Sequence, residues 1–154
     1  MSAKNVREFL KIYNMDKRII ELNDSSATVA LAAEHLNCEP ARIAKTLSLI
    51  VNDNPILIVM TGDSKIDNKK FKDYFNTKAK MIPPEQVLEM TGHPVGGVCP
   101  FAAKENVEIY LDNSLKRFET VFPACGSTNN AIEIKINELE TVTKYKSWID
   151  VTKV

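Results

Sequence analysis

The chain has few residues of the types that ligate metals or attack a substrate directly. Its 154 residues include two histidines and three cysteines (Cys38, Cys99 and Cys125). None of them stands at the CxxC, HxxxH or HExxH spacing of metal ligands, so the sequence indicates no metal and no cofactor. An odd number of cysteines without paired spacing argues against a disulfide framework and is typical of a reducing compartment. P-loop, dinucleotide-binding and GxSxG patterns are missing as well.

The chain also lacks an excess of either charge, because 20 basic residues balance 20 acidic ones. No global positive field attracts nucleic acid, so a nucleic-acid partner would have to be held locally. No apolar run is long enough to cross a bilayer, and the polar residues 1–5 are not followed by the apolar segment of a signal peptide. We therefore expect a cytoplasmic protein without a membrane partner. The length favours one domain over residues 1–154.

Short helical and strand patterns interleave along the chain. Apolar residues at helical spacing predict an N-terminal helix through Val6 and Leu10, and further helices over 29–36, 68–75 and 85–90. A final short helix is expected to begin at Asn137 or Glu138. Alternating or continuous apolar residues predict strands over 18–22, 43–51, 56–60, 107–111, 120–124, 132–136 and 148–151. Many connections are too short for right-handed crossovers. The sequence thus predicts an α/β (α+β mixed) fold, with a mixed, partly antiparallel sheet surrounded by helices.

Glycine is scarce, and its distribution is informative. Three of the five glycines and two of the seven prolines lie in the run from Thr91 to Phe101. Glycine permits positive φ and close approach to a ligand, whereas proline fixes φ and removes an N–H donor. The run therefore predicts a rigid, shaped loop. Loops of this kind often carry sites, but a plain helix-to-strand turn has the same composition.

Lys45 is the second informative residue. In the predicted strand 43–51 it shares a face with Ile43 and Leu47, and that face should meet the core. A lysine is rarely buried without a partner, because desolvating its ammonium is costly. Lys45 therefore either lies in a functional cleft or extends to water from a frayed strand end.

Two further segments have both a functional and a structural interpretation. Residues 122–130 form a predicted strand followed by a turn, and the polar side chains of Ser127, Thr128, Asn129 and Asn130 would either read a small polar ligand or cap the turn. Six lysines between Lys65 and Lys80 would either contact phosphates or form a solvated helix face, and the interspersed aspartates favour the second interpretation.

Taken together, three motifs resemble the YbaK/ProX family, the free-standing relatives of the bacterial prolyl-tRNA synthetase editing domain. They are A-R-I-A-K-T-L (41–47), T-G-H-P-V-G-G-V-C-P-F (91–101) and V-F-P-A-C-G-S-T-N-N-A-I-E-I (121–134), in that order. The resemblance extends roughly over residues 18–151. It implies the fold of that editing domain and the activity of a trans-acting hydrolase that deacylates mischarged aminoacyl-tRNA. The implied partners are the acceptor end of the tRNA and a synthetase or elongation factor.

The resemblance also implies roles for particular residues. Lys45 matches the family's invariant lysine, and Gly96 to Pro100 match its G-x-x-x-P loop. The expected catalytic residues are Lys45, which would orient the ester as a fixed cation, and the backbone amides of Gly96, Gly97 and Val98, which would stabilise the carbonyl oxygen. The expected substrate-binding residues are Thr28, Thr46, His93, Cys99, Pro100, Ala124, Cys125, Gly126 and Ser127.

Small pocket residues indicate a small amino acid such as Ser, Thr, Ala or Cys. The resemblance to the prolyl-tRNA synthetase editing domain suggests tRNA-Pro as its carrier. Ala131 stands where the family's cysteine-specific branch often has an acidic residue, which favours the other three. Two alternatives remain open at this point. One is a module that binds tRNA ends or a synthetase without catalysis. The other is a cysteine-dependent hydrolase that uses Cys99 or Cys125 with His93 or His35.

Overall fold

The computed structural model describes residues 2–154, and its helices and strands follow the predicted order closely. The helices are α1 (Ser2–Lys11), α2 (Val29–Leu36), α3 (Asn68–Phe75), α4 (Pro84–Thr91) and α5 (Ile136–Val142). The strands are β1 (Ile19–Glu21), β2 (Ile43–Val51), β3 (Asn54–Thr61), β4 (Lys65–Ile66), β5 (Glu108–Asp112), β6 (Thr120–Pro123), β7 (Asn130–Ile132), β8 (Ile134–Lys135), β9 (Tyr145–Ile149) and β10 (Thr152–Lys153). None of the helices in this part of the chain has both the length and the apolar character to cross a bilayer.

A six-stranded mixed sheet, in the order β8-β6-β2-β3-β5-β9, forms the centre of the fold. β2 and β3 form an antiparallel hairpin, and β6 pairs with β8 in the same way. The pairs β2–β6, β3–β5 and β5–β9 are parallel. The predicted fold class, a partly antiparallel mixed sheet with helices around it, is confirmed.

Alternate residues of β3 pack on opposite faces of this sheet. Val59 joins a core cluster with residues of α1 and α5, whereas Ile58 and Met60 join a cluster with Phe71 of α3. Because both faces are covered, a continuous apolar strand is required here, as the run 56–60 predicts. The helix α2 packs on the α3 side of the sheet, against Ile43.

The predicted single strand over 132–136 is wrong. The chain instead forms two short strands with different partners, since β7 pairs with β1 and β8 pairs with β6, and α5 already begins at Ile136. The break falls at Glu133, whose carboxylate accepts hydrogen bonds from Arg42 and Thr120. Ile132 and Ile134 are both fully buried. The alternation of apolar residues therefore predicts their burial correctly but does not indicate that the pairing strand changes between them.

Two local details of the helices depart from simple sequence patterns. The polar run 23–26 contains residue types that cap helices, but the cap of α2 is Thr28, whose hydroxyl accepts from the Leu31 N–H at 3.2 Å. Tyr74 lies at helical spacing from Phe71 in α3 but is 46% exposed. It lies edge-on against Phe75 at the border of the core.

The buried carboxylate of Asp112 connects the centre of the sheet to the C-terminal segment. It accepts from the Ser114 N–H at 2.9 Å, the Val151 N–H at 3.0 Å and the Thr152 hydroxyl at 2.7 Å. Asp112 is fully buried at the end of β5. Its three acceptor contacts therefore fix the point where the chain leaves β9 and enters β10. The predicted strand 148–151 overlaps only the last two residues of β9, which begins earlier, at Tyr145.

Replacing Asp112 with alanine should lower the free energy of unfolding by about 3 kcal/mol or more, because three buried donors lose their acceptor. Asp112→Asn retains one amide oxygen and should lose less. Urea unfolding followed by circular dichroism measures both changes. An Asp112→Ala protein as stable as the wild type would show that these contacts do not hold the C-terminal segment.

Candidate functional site

A cavity of about 370 Å³ opens where one edge of β2 has no neighbouring strand. β6 pairs with β2 only at Ile43 and Ala44. Further along, the Ile82 N–H donates to the Ser48 carbonyl at 3.0 Å. Residues 45–47 lie between these two contacts and line the cavity. Because main-chain groups alternate along a strand, Thr46 directs its N–H and C=O to the same edge as Ser48 does.

The cavity lining is mostly apolar and carries a single charged side chain. Among residues 2–154, Lys45 is the one charged group in the lining, which contains no Asp, Glu, His or Cys. Six of the expected site residues line it together: Thr28, Lys45, Thr46, Gly96, Val98 and Ala124. The rest of the wall comes largely from residues without a chemical signature in the sequence, namely Val29, Ala32, Ile43, Leu47, Val87 and Phe122.

The ammonium of Lys45 is partly desolvated and poorly paired. Its Nζ donates to the Gly62 carbonyl at 3.4 Å, which is a long hydrogen bond. Burial lowers the pKa of Lys45, and the nearby negative charge of Asp63 opposes this effect. Lys45 is half-buried, so it neither extends freely into water nor sits in a closed core. Of the two placements of Lys45 that the sequence left open, the structure shows the one in a cleft and not the one at a frayed strand end.

The acidic neighbour of Lys45 is already occupied. Asp63 receives two hydrogen bonds from the Arg117 guanidinium, at 3.0 and 2.9 Å, and one from the Thr61 hydroxyl at 2.8 Å. These contacts, that of Arg117 foremost, hold the pKa of Asp63 below its ordinary value. No ion pair of Lys45 occurs within residues 2–154. The cavity therefore contains a cation with hydrogen-bonding capacity to spare.

Gly62, which sequence reasoning missed, makes the close packing above Lys45 possible. A Cβ at this position would lie 2.1 Å from the Pro40 carbonyl oxygen and 2.7 Å from Val29 Cγ1. Only glycine lets the turn after β3 approach α2 this closely. The available signal was a glycine directly after the central strand.

The glycine loop forms another part of the wall, but its three expected amides are not equivalent. The Gly97 N–H donates to the Pro94 carbonyl at 2.9 Å, which closes a turn and uses up that donor. Gly97 does not line the cavity, whereas Gly96 and Val98 do. Within residues 2–154 the N–H groups of Gly96 and Val98 have no acceptor. Gly96 adopts φ +87°, and a Cβ there would lie 2.8 Å from Thr128 Cγ2.

His93 lies behind the wall and supports the loop. Its Nε2 lies 2.8 Å from the Phe101 carbonyl oxygen, so Nε2 carries the proton and donates. Its Nδ1 then accepts from the Ser2 hydroxyl at 2.6 Å. Burial lowers the pKa of His93, and the bond to Phe101 partly offsets that effect. The placement fits a neutral histidine that braces the loop, rather than one that contacts a ligand in the cavity.

The two cysteines expected near the substrate are also behind the wall. Cys99 and Cys125 are both 0% exposed. Burial raises the pKa of Cys99 to about 12 and that of Cys125 well above its ordinary value. Cys99 Sγ lies 3.7 Å from His93 Nε2, but that nitrogen already donates to Phe101. A protonated, inaccessible thiol is a poor nucleophile, so the geometry does not support the cysteine-dependent alternative.

The segment after β6 uses its polar groups internally. The Asn130 side chain accepts from the Cys125 N–H at 3.0 Å and donates to the Cys125 carbonyl at 3.1 Å. The Ser127 hydroxyl donates to the Asn129 side-chain oxygen at 2.8 Å. Pro100, Cys125, Gly126 and Ser127 do not line the cavity. Ala124 and Asn130 line the cavity, although the amide of Asn130 is engaged with Cys125. The capped-turn interpretation describes Ser127 and Asn129, which bond to each other.

Comparisons with known proteins agree on one family. Residues 24–142 match the model of the aminoacyl-tRNA editing domain. The chain is 52% identical over 154 residues to the uncharacterised protein YwhH of Bacillus subtilis, covering 99% of this chain and 98% of that one. It is 29% identical over 86 residues to the proline–tRNA ligase of Levilactobacillus brevis, which is 55% of this chain and 15% of the ligase.

A solved structure shares the whole architecture. It belongs to a protein described as a candidate trans-editing enzyme for prolyl-tRNA synthetase, and it superposes with a TM-score of 0.87 at 25% identity. The match covers 99% of this chain and 98% of the other.

The buried His93 should make stability depend on pH. Because the folded state favours the neutral ring, the unfolded state binds more protons below the ordinary pKa of 6.5. The free energy of unfolding should therefore fall as the pH drops through 6.5. Urea titrations across this range measure the slope.

His93→Gln keeps a donor and an acceptor but cannot titrate, so its slope should be shallower than that of the wild type. His35→Gln removes the other histidine and serves as the control. Equal slopes for His93→Gln and the wild type would contradict the placement of His93.

Proposed function

This chain belongs to the aminoacyl-tRNA editing domain family, and from that premise we propose that it is a deacylase acting in trans. It would hydrolyse the ester between a small, wrongly attached amino acid and the terminal ribose of a tRNA. The observation that carries the proposal is the cation Lys45, which lines a mostly apolar cavity without an ion pair of its own. Such a cation favours a ligand that brings or develops negative charge.

The chemistry requires stabilisation of negative charge on the carbonyl oxygen. Water attacks the acyl carbon, the electron pair of the C=O bond moves to oxygen, and the resulting oxyanion needs donors. The amides of Gly96 and Val98 are main-chain donors of the glycine loop that belong to lining residues and have no acceptor within residues 2–154. Lys45 supplies a fixed positive charge in surroundings of low polarity, where electrostatic interactions are strongest.

Among residues 2–154, the lining provides no carboxylate, histidine or thiolate to accept the proton of the attacking water. The acceptor is therefore supplied by the substrate or by a second water. When the intermediate collapses, the bond from the acyl carbon to the ribose oxygen breaks and that oxygen takes a proton. The products are the free amino acid and an uncharged tRNA.

The wall supports a small amino acid. Five alanines line the cavity: Ala27, Ala32, Ala44, Ala124 and Ala131. A volume of about 370 Å³ has to hold both the aminoacyl group and part of the ribose.

Ser, Thr, Ala and Cys all satisfy this size limit, and one methyl group separates them only weakly by binding. The likeness to a candidate trans-editing enzyme for prolyl-tRNA synthetase makes mischarged tRNA-Pro the first substrate to test. The proposal places the protein beside translation in the cytoplasm.

The test is hydrolysis of a panel of tRNAs charged with small amino acids. Lys45→Met retains the length and apolar stem of the side chain but removes the charge, so activity should fall about 100-fold or more while the fold is unchanged. Lys17→Met, an exposed position outside the lining, is the matched control. Circular dichroism and thermal unfolding verify the fold of each variant.

Three outcomes separate the alternatives. Hydrolysis that survives Lys45→Met on every substrate contradicts the role of Lys45. A wild-type protein that protects the ester instead of cleaving it is a binding module. Loss of activity in Cys99→Ala or Cys125→Ala, with stability retained, would revive the cysteine-dependent mechanism.

A further inference from the structure

The mouth of the cavity has an exposed apolar rim. Met81 is 51% exposed and Val95 is 59% exposed, and both line the cavity. Both are held in place: Met81 bridges to Leu49 of β2, and the turn closed by Gly97 N–H and Pro94 C=O fixes the loop around Val95. Exposed apolar side chains at a cavity mouth are a typical binding surface, because a bound ligand covers them.

Two free lysines continue this rim along one side. Lys78 and Lys80 are exposed, and neither takes part in the ion pairs formed within residues 2–154. In the same cluster, Lys69 pairs with Asp73 and Lys70 pairs with Asp150, whereas Lys65 and Lys72 are also outside the ion pairs of residues 2–154. Lys78 and Lys80 differ from Lys65 and Lys72 because they lie next to Met81 in the chain.

Main-chain hydrogen bonds fix the backbone position of the segment that carries these lysines. The Lys80 carbonyl accepts from the Ile50 N–H at 2.8 Å, so the segment runs antiparallel to β2 from Ile50 towards Ser48. Lys80 directly precedes Met81 of the rim, and Lys78 lies farther from the mouth. The chain has the other charge on the C-terminal side of Met81, because Glu85 is exposed in the first turn of α4, next to the lining residue Pro84.

We propose that Met81, Val95, Lys80 and Lys78 form a docking surface for the single-stranded 3′ end of an RNA. The terminal base rests on Met81 and Val95, and the preceding phosphates follow Lys80 and then Lys78, away from Glu85. Thioether sulfur makes favourable contacts with flat rings, and lysines bind phosphates through salt-sensitive contacts. With a net charge of zero, the chain needs such a local cluster to hold RNA.

This inference rests on the proposed function, because it assumes that the ester to be cleaved is attached to RNA. The probe is therefore an uncharged RNA hairpin with a short single-stranded 3′ overhang, which tests binding without hydrolysis. Fluorescence anisotropy over a series of salt concentrations gives both the dissociation constant and its salt dependence.

The variant Lys78→Ala/Lys80→Ala should weaken binding about tenfold at low salt and reduce the salt slope by about 1.4, from about 0.7 per phosphate contact on a single strand. Lys17→Ala/Lys144→Ala makes the same change of net charge at exposed positions outside the lining, and should leave the slope unchanged. Met81→Ala should weaken binding without changing the slope. A blunt hairpin should bind the wild type weakly and lose little in the lysine variant.

Equal slopes for the two double variants, or no binding of the overhang by the wild type, would overturn the docking surface. Hydrolysis of charged tRNA that persists with an unchanged KM in Lys78→Ala/Lys80→Ala would overturn it too, while leaving the deacylase proposal intact. Conversely, a wild type that binds the overhang with the expected slope but cleaves no ester retains the surface and loses the proposed function.

Discussion

The site depends on a charge that the fold leaves uncompensated. Asp63 is close enough to Lys45 to influence its pKa, yet the carboxylate is held by the paired nitrogens of Arg117. A bidentate guanidinium–carboxylate pair is stronger and more rigid than a lysine contact, so Asp63 pairs with Arg117 and not with Lys45. Lys45 retains one long bond to the Gly62 carbonyl. Its remaining donors and its charge are directed to whatever occupies the cavity.

Free hydrogen-bonding groups also explain why the cavity lies at the edge of β2. Inside a sheet, the main-chain groups of Thr46 would bond to a neighbouring strand, and at a fully exposed edge they would bond to water. Here β6 leaves β2 after Ala44, and the strand-like segment at Ile82 joins it only from Ser48. The gap between these two contacts consists of residues 45–47, which line the cavity. On the other side of β2, Gly62 lets the turn after β3 pack closely, since any Cβ there would collide with Pro40.

Local patterns predict much of this, and long-range contacts account for what they miss. The two-residue period of β2 correctly places Lys45 among inward-facing residues, and the scarcity of glycine marks the loop near Gly96. The sequence does not indicate which groups of the loop face the cavity. That depends on the turn in which the Gly97 amide donates its hydrogen bond, and on the hydrogen bond between the Ser2 hydroxyl and His93. The pairing of Asp63 with Arg117 spans 54 positions and has no local signature.

A lining with one cation and no carboxylate also constrains how an aminoacyl ester would lie under the proposed function. The α-ammonium of the amino acid and the ammonium of Lys45 repel each other by about 4 kcal/mol at 4 Å with an effective dielectric constant of 20. The amine must therefore turn away from Lys45, towards the neutral part of the lining. That orientation directs the ester carbonyl to Lys45. Lys45 thus positions the substrate by repelling its α-ammonium and attracting its ester carbonyl, although the lining formed by residues 2–154 contains no carboxylate or histidine to react with it.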